Sequence, residues 1–197
     1  MNTHRTTAVL ALAFLLVTGS ALAAEKGQPG YVDLEWIEIP ADASEIQDID
    51  LGPILQSLAA DAEDKGDDAL VQAISMIDGV RVKAFSLDAG GEEIAAAAVE
   101  RIQAQMAKGD WKRFVYMKDG DETIAVHTLY RDKDLVGLMV VVYEPGDSVT
   151  FANVVGDLDL GTMIKLAHRI DHDNLEDIME EYGNVDGVNI RIHADDD

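Results

Sequence analysis

The sequence predicts an α+β fold: a mainly antiparallel sheet, built as a meander and covered by helices, in a single domain. Three observations lead there. Residues 111 to 156 alternate apolar and polar positions between dipeptides suited to hairpin turns. Stretches on either side repeat apolar residues at three-and-four spacing, as helices with one buried face do. No repeat or long linker divides the chain, and setting aside residues 1 to 23 of 197 leaves 174, enough for one domain that buries roughly 70% of its unfolded surface.

Residues 1 to 23 have the layout of a secretory signal peptide. His4 and Arg5 give a positive start, Ala8 to Val17 is an apolar run of ten, and Ala21-Leu22-Ala23 is the small-x-small pattern of a cleavage site. The expected mature chain begins at Ala24 and works in the periplasm or outside the cell. A run of ten is too short to span a bilayer, and no cysteine follows it to carry a lipid, so no stable membrane insertion of the mature chain is expected.

Residues 24 to 30 read as a flexible leader, and residues 31 to 192 as the domain. Val32, Leu34 and Trp36 alternate with acids, which predicts a strand over Tyr31 to Ile39 that Pro40 ends. A second extended piece, Glu45 to Leu51, leads to Pro53 at the first turn of a helix. The apolar spacing breaks at Gly66 and resumes, predicting a helical hairpin over 53 to 77. Val80 to Phe85 returns to strand alternation. Gly90-Gly91 opens a helix over 92 to 108 whose Ile94, Ala98, Ile102 and Met106 form one stripe, closed by Gly109. Trp111 to Met117 resumes the strand pattern. Three turns, at Asp119-Gly120, Asp132-Lys133 and Pro145-Gly146, then separate Thr123 to Tyr130, Leu135 to Tyr143 and Ser148 to Val155. Leu135 to Val142 is apolar on both faces, which predicts a central strand covered from both sides. Two more helices are predicted within 159 to 182, then a strand with Val188, Ile190 and Ile192, then an acidic tail over 193 to 197.

Charge bounds the partners. The mature region carries 14 basic and 38 acidic residues, a formal net charge of −24, which repels phosphate backbones and anionic lipid surfaces and excludes nucleic acid as a natural partner. The excess sits on two flanks: residues 42 to 68 hold nine acids against Lys65, and residues 171 to 197 hold ten against Arg191. Solvated faces that maintain solubility account for most of this. The absence of cysteine excludes disulfides, thiol catalysis and thiolate metal sites.

Candidate chemistry is sparse. His168 and His172 stand four apart at the end of a predicted helix, a spacing that can place two imidazoles on one metal, with Asp171, Asp173 and the distant His193 as candidate further ligands. The intervening residues lack the glutamate of the zinc-protease motif, and a helix C-terminus favours histidine by its dipole alone. The acids from Asp171 do not place glycine and glutamate where an EF-hand needs them. No nucleophile elbow or Ser-x-x-Lys occurs. His127 alternates with Ala125 and Leu129 in a strand and reads as a satisfied, partly buried histidine rather than a general base. Trp111-Lys112-Arg113-Phe114 mixes aromatic and basic residues and reads as an edge strand protected by charge.

Trp111 to Met117, the strand ending Val140-Val141-Val142, the run from Asn153 to Asp159 before Lys165-Leu166, and Gly79-Val80-Arg81-Val82 together resemble a family of bacterial exported proteins, domain of unknown function 4252. The resemblance spans about residues 31 to 170. It implies a small exported α+β domain, and supplies no activity, cofactor or catalytic residue. The expectation is an exported, non-catalytic module that binds an envelope protein or a small ligand, with no cofactor. The alternative is a metal-binding or metal-dependent hydrolytic protein using His168, His172 and His193.

Overall fold

The computed structural model describes residues 27–41, 43–87, 90–159, 161 and 190–191. The predicted helices within 159 to 182, the acidic tail and the leader before residue 27 lie outside them. The elements run β1 (Ile46–Asp50), α1 (Gly52–Lys65), α2 (Asp68–Ser75), β2 (Ile77–Ser86), α3 (Glu92–Lys108), β3 (Lys112–Asp119), β4 (Glu122–Arg131), β5 (Asp134–Glu144), β6 (Ser148–Leu158) and β7 (Ile190–Arg191). They make one sheet in the order β3-β4-β5-β6-β2-β1-β7, with every neighbouring pair antiparallel. The fold is α+β, as its sequence patterns predict.

Local chemistry sets the element ends. Pro53 occupies the first turn of α1, and Gly66 closes it in the left-handed conformation at φ 70°, with its N–H turned back to the last carbonyls. Asp67 then caps α2, its carboxylate accepting the Leu70 N–H at 3.1 Å. Between β5 and β6, Gly146 at φ 80° follows Pro145, and the Asp147 N–H closes on the Glu144 carbonyl at 3.0 Å, as a type II turn requires.

Two apolar layers hold the sheet. On its first face α1 places Leu55 and Leu58 against Ile49, Val80, Val82, Leu138, Val140 and Val154. On the second, α3 crosses from β2 towards edge strand β3, with Ala98, Ile102 and Met106 among its buried residues and Phe85, Met139, Val141 and Phe151 beneath. Full burial of each large aliphatic side chain contributes about 1.5–3 kcal/mol. Strand β5 lies between β4 and β6 with residues 137–142 buried on both faces, which explains its unbroken apolar run.

One predicted strand is absent: residues 31–39 are irregular, with the Ile37 N–H turning back to the Leu34 carbonyl at 3.1 Å. Val32, Leu34 and Ile37 are nevertheless buried, in the second apolar layer. Strand β2 already pairs with β1 and β6, so this segment has no ladder partner there and crosses the sheet face instead. Asn153 of β6 ties it down, accepting the Val32 N–H at 2.8 Å and donating to the carbonyls of Gly30 and Leu138, both at 2.9 Å.

Candidate functional site

Where α3 ends and β3 begins, the described residues leave the second face partly uncovered. A groove of about 430 Å³ opens there, lined by Gln103, Met106 and Ala107 of α3, by Trp111, and by Arg113, Tyr116, Ala125 and His127 of β3 and β4. Two local features build it. A bulge in β3 sets Arg113 opposite His127 and Val115 opposite Val126, making Phe114 the extra residue. The bulge interrupts the expected alternation but leaves Arg113 and Tyr116 on the face that carries Ala125 and His127. The second feature is Gly137, the one glycine inside β5: a Cβ there would lie 2.6 Å from the Gly30 Cα and 2.9 Å from Trp111 Cη2. Bare backbone at Gly137 thus lets the indole lie against the sheet.

His127 corrects its sequence-based reading. It is buried, at 7% exposure, but it is not satisfied: Nδ1 has no hydrogen-bond partner among the described residues. Burial, and then the positive charge of Arg113, hold its pKa below the ordinary imidazole value, so the ring is neutral at neutral pH. An unmet buried N–H is rarer in folded proteins than an unmet acceptor, which assigns the proton to Nε2. The Arg113 guanidinium lies 4.9 Å from the Tyr116 ring centroid, a cation–π contact that fixes its position beside the groove. The groove therefore joins flat apolar walls to a cation and a neutral imidazole. Its lining contains no serine, threonine or carboxylate.

The same strand also exposes large apolar side chains to solvent, Tyr116 on the groove face and Phe114 and Met117 outside the groove. Phe114 is 62% exposed, Tyr116 50% and Met117 53%; among the described residues, the other exposed large apolar side chain, Tyr130, is 37% exposed. Residues 111 to 118 carry Lys112, Arg113 and Lys118 and no acid. The neighbouring Asp110 is paired with Arg131 at 2.9 Å.

Other charged groups are structural. Buried Lys83 reaches Asp48 at 3.2 Å and donates to the Ile37 carbonyl at 3.3 Å. Arg81 sits between Glu35 at 3.4 Å and Asp50 at 3.3 Å. With Asp61 bridged to Lys65 at 2.7 Å and Asp67 capping α2, much of the first acidic flank serves the fold. Glu92 at the start of α3 accepts from the Tyr143 hydroxyl and from the Gly146 N–H, the latter at 2.9 Å, tying the β5–β6 turn to the helix. Burial, then this hydrogen bond and the carboxylate charge, push the Tyr143 pKa up to about 12.

His168, His172 and His193, and the second acidic flank, lie outside the described residues. Among the described residues no group of three metal-ligating side chains comes together, and no helix is long and apolar enough to cross a membrane. Sequence reasoning singled out Trp111, Arg113 and His127 but did not join them to Met106 and Tyr116. The family model described as "Domain of unknown function (DUF4252)" matches residues 41–166. No curated protein and no solved structure matches the chain.

Proposed function

The chain belongs to the DUF4252 family, a domain of unknown function from which no activity follows, and we propose from its own surface that it is an exported, non-catalytic binding module whose contact surface runs along β3. The observation that carries this reading is the exposure of Phe114, Tyr116 and Met117 within four consecutive residues of an edge strand. Edge strands are blunted by charge or bulges because unpaired backbone invites pairing, and large apolar groups left on such an edge mark a contact surface. Export is supported by the layout of residues 1 to 23. The groove lining supports a non-catalytic role, because His127 shares it with Arg113, Gln103 and apolar groups and with no serine, threonine or carboxylate.

Two proteins test it: the mature chain, residues 24–197, and its Phe114→Ser/Met117→Ser variant, each immobilised and exposed to envelope extract. Both substitutions lie on exposed positions, so the variant should melt at the same temperature within a degree or two. A species retained by the parent and lost by the variant supports a contact surface on β3. Identical retention by the two proteins contradicts it.

A further inference from the structure

The groove behind β3 combines features that call for a particular ligand chemistry. Its volume, about 430 Å³, falls within the range of small-molecule sites, roughly 300–1,000 Å³. Three of its walls are apolar and flat or flexible: Trp111 against the bare backbone of Gly137, Met106 from α3, and Tyr116 from β3. Its polar side chains include Arg113, His127 and Gln103, whose amide both donates and accepts. Arg113 has only donors to offer, and His127, more than nine-tenths buried with Nδ1 unpartnered among the described residues, carries its one proton on Nε2. The protein as a whole has a formal charge of −23 and repels anions at long range, yet residues 111 to 118 carry three bases and no acid. A local cationic edge in so acidic a chain favours an anionic group at that place alone.

We propose that this groove binds a small aromatic monocarboxylate, with the carboxylate at Arg113 and His127 and the ring against Trp111, Met106 and Tyr116. Guanidinium recognises carboxylate with paired, charge-assisted hydrogen bonds, and the Tyr116 ring beneath Arg113 holds the fork in place before the ligand arrives. Trp111 and Tyr116 suit an aromatic body because offset or edge-to-face ring contacts add to simple burial. His127 explains its own burial on this reading: a neutral imidazole beside a cation supplies a donor without adding a second charge that Arg113 would repel. The proposal rests on the binding-module reading in placing contact at β3, but uses the inner face of the strand rather than Phe114 and Met117.

The experiment is a titration of the mature chain with 4-phenylbutyrate, its neutral amide and the matching 4-phenylbutylammonium cation, followed by calorimetry and tryptophan fluorescence in a Trp36→Phe background that isolates Trp111. The acid is expected to bind saturably and change Trp111 emission, the amide about tenfold more weakly, and the cation not at all. Arg113→Gln, at an exposed position, is expected to retain the melting temperature and weaken the acid about tenfold while leaving the amide unchanged. His127→Phe is expected to weaken the acid severalfold. Equal binding of acid and amide, or undiminished acid binding by Arg113→Gln, overturns the proposal, as does failure of the parent to bind the acid. The Phe114→Ser/Met117→Ser variant separates the two readings: it is expected to bind 4-phenylbutyrate as the parent does. Loss of its extract capture alongside a parent that ignores the acid overturns the carboxylate site and leaves the β3 contact surface standing.

Discussion

Asn153 shows how much one side chain can organise. The residue is buried, and its amide holds three backbone groups from β5 and the 30–32 segment. Asn153→Leu strands those groups and should cost about 2–3 kcal/mol, read from denaturant unfolding, with amide exchange at Val32 rising most. His127 makes the opposite prediction. Its folded pKa lies below the unfolded value of 6.5, so below that pH the unfolded chain takes up a proton that the folded chain refuses. Stability therefore falls as pH drops through about 6.5, and His127→Phe removes this loss. The melting temperature of the variant relative to the parent should rise between pH 7.5 and 5.5; a flat difference contradicts the assignment. Tyr143 titrates in the other direction, since its raised pKa means the folded state retains the neutral phenol that Glu92 accepts from. Ultraviolet titration should show one phenol near 12, moving down in Glu92→Gln. None of these partners was legible in the sequence. Asn153 lies 121 positions from Val32, and nothing local distinguishes a satisfied histidine from one whose Nδ1 faces no partner.

Elements were read more easily than residues. The helical hairpin, α3 and the three hairpin turns follow from periodicity and turn chemistry, which act over a few residues. Residues 31–39 misled because alternation reports which side chains are buried, not whether the backbone finds a ladder. Val32 and Leu34 are buried as their pattern implies, but under α3's layer and not in the sheet. The β3 bulge was invisible for a similar reason, since a register irregularity belongs to a pair of strands and not to one sequence. Gly137 interrupts an apolar run, and a glycine in a central strand signals close approach. Gly137→Ala forces the added methyl onto the Gly30 backbone and Trp111, and should cost about 1–3 kcal/mol with a red shift of tryptophan emission. Unchanged stability and emission would show that the indole does not lie on that backbone.

At the scale of the whole molecule, charge and uneven covering govern behaviour. A formal charge of −23 predicts that the melting temperature rises with sodium chloride over tens to hundreds of millimolar as self-repulsion is screened. On the binding-module reading, zinc adds nothing beyond magnesium at matched ionic strength; a zinc-specific rise would favour the alternative use of His168, His172 and His193. The fold class was legible because burial patterns are repeated across many residues. The groove was not, because it exists only where the end of α3, the bulged edge of β3 and the glycine of β5 meet. The measurement that bears most directly on the central claim is an amide-resolved NMR map of the mature chain with and without 4-phenylbutyrate. The account predicts saturable shifts at Ala107, Trp111, Arg113, Tyr116 and His127, with α1 and α2 silent. Shifts that are absent, or that spread over the acidic α1–α2 surface instead, would contradict it.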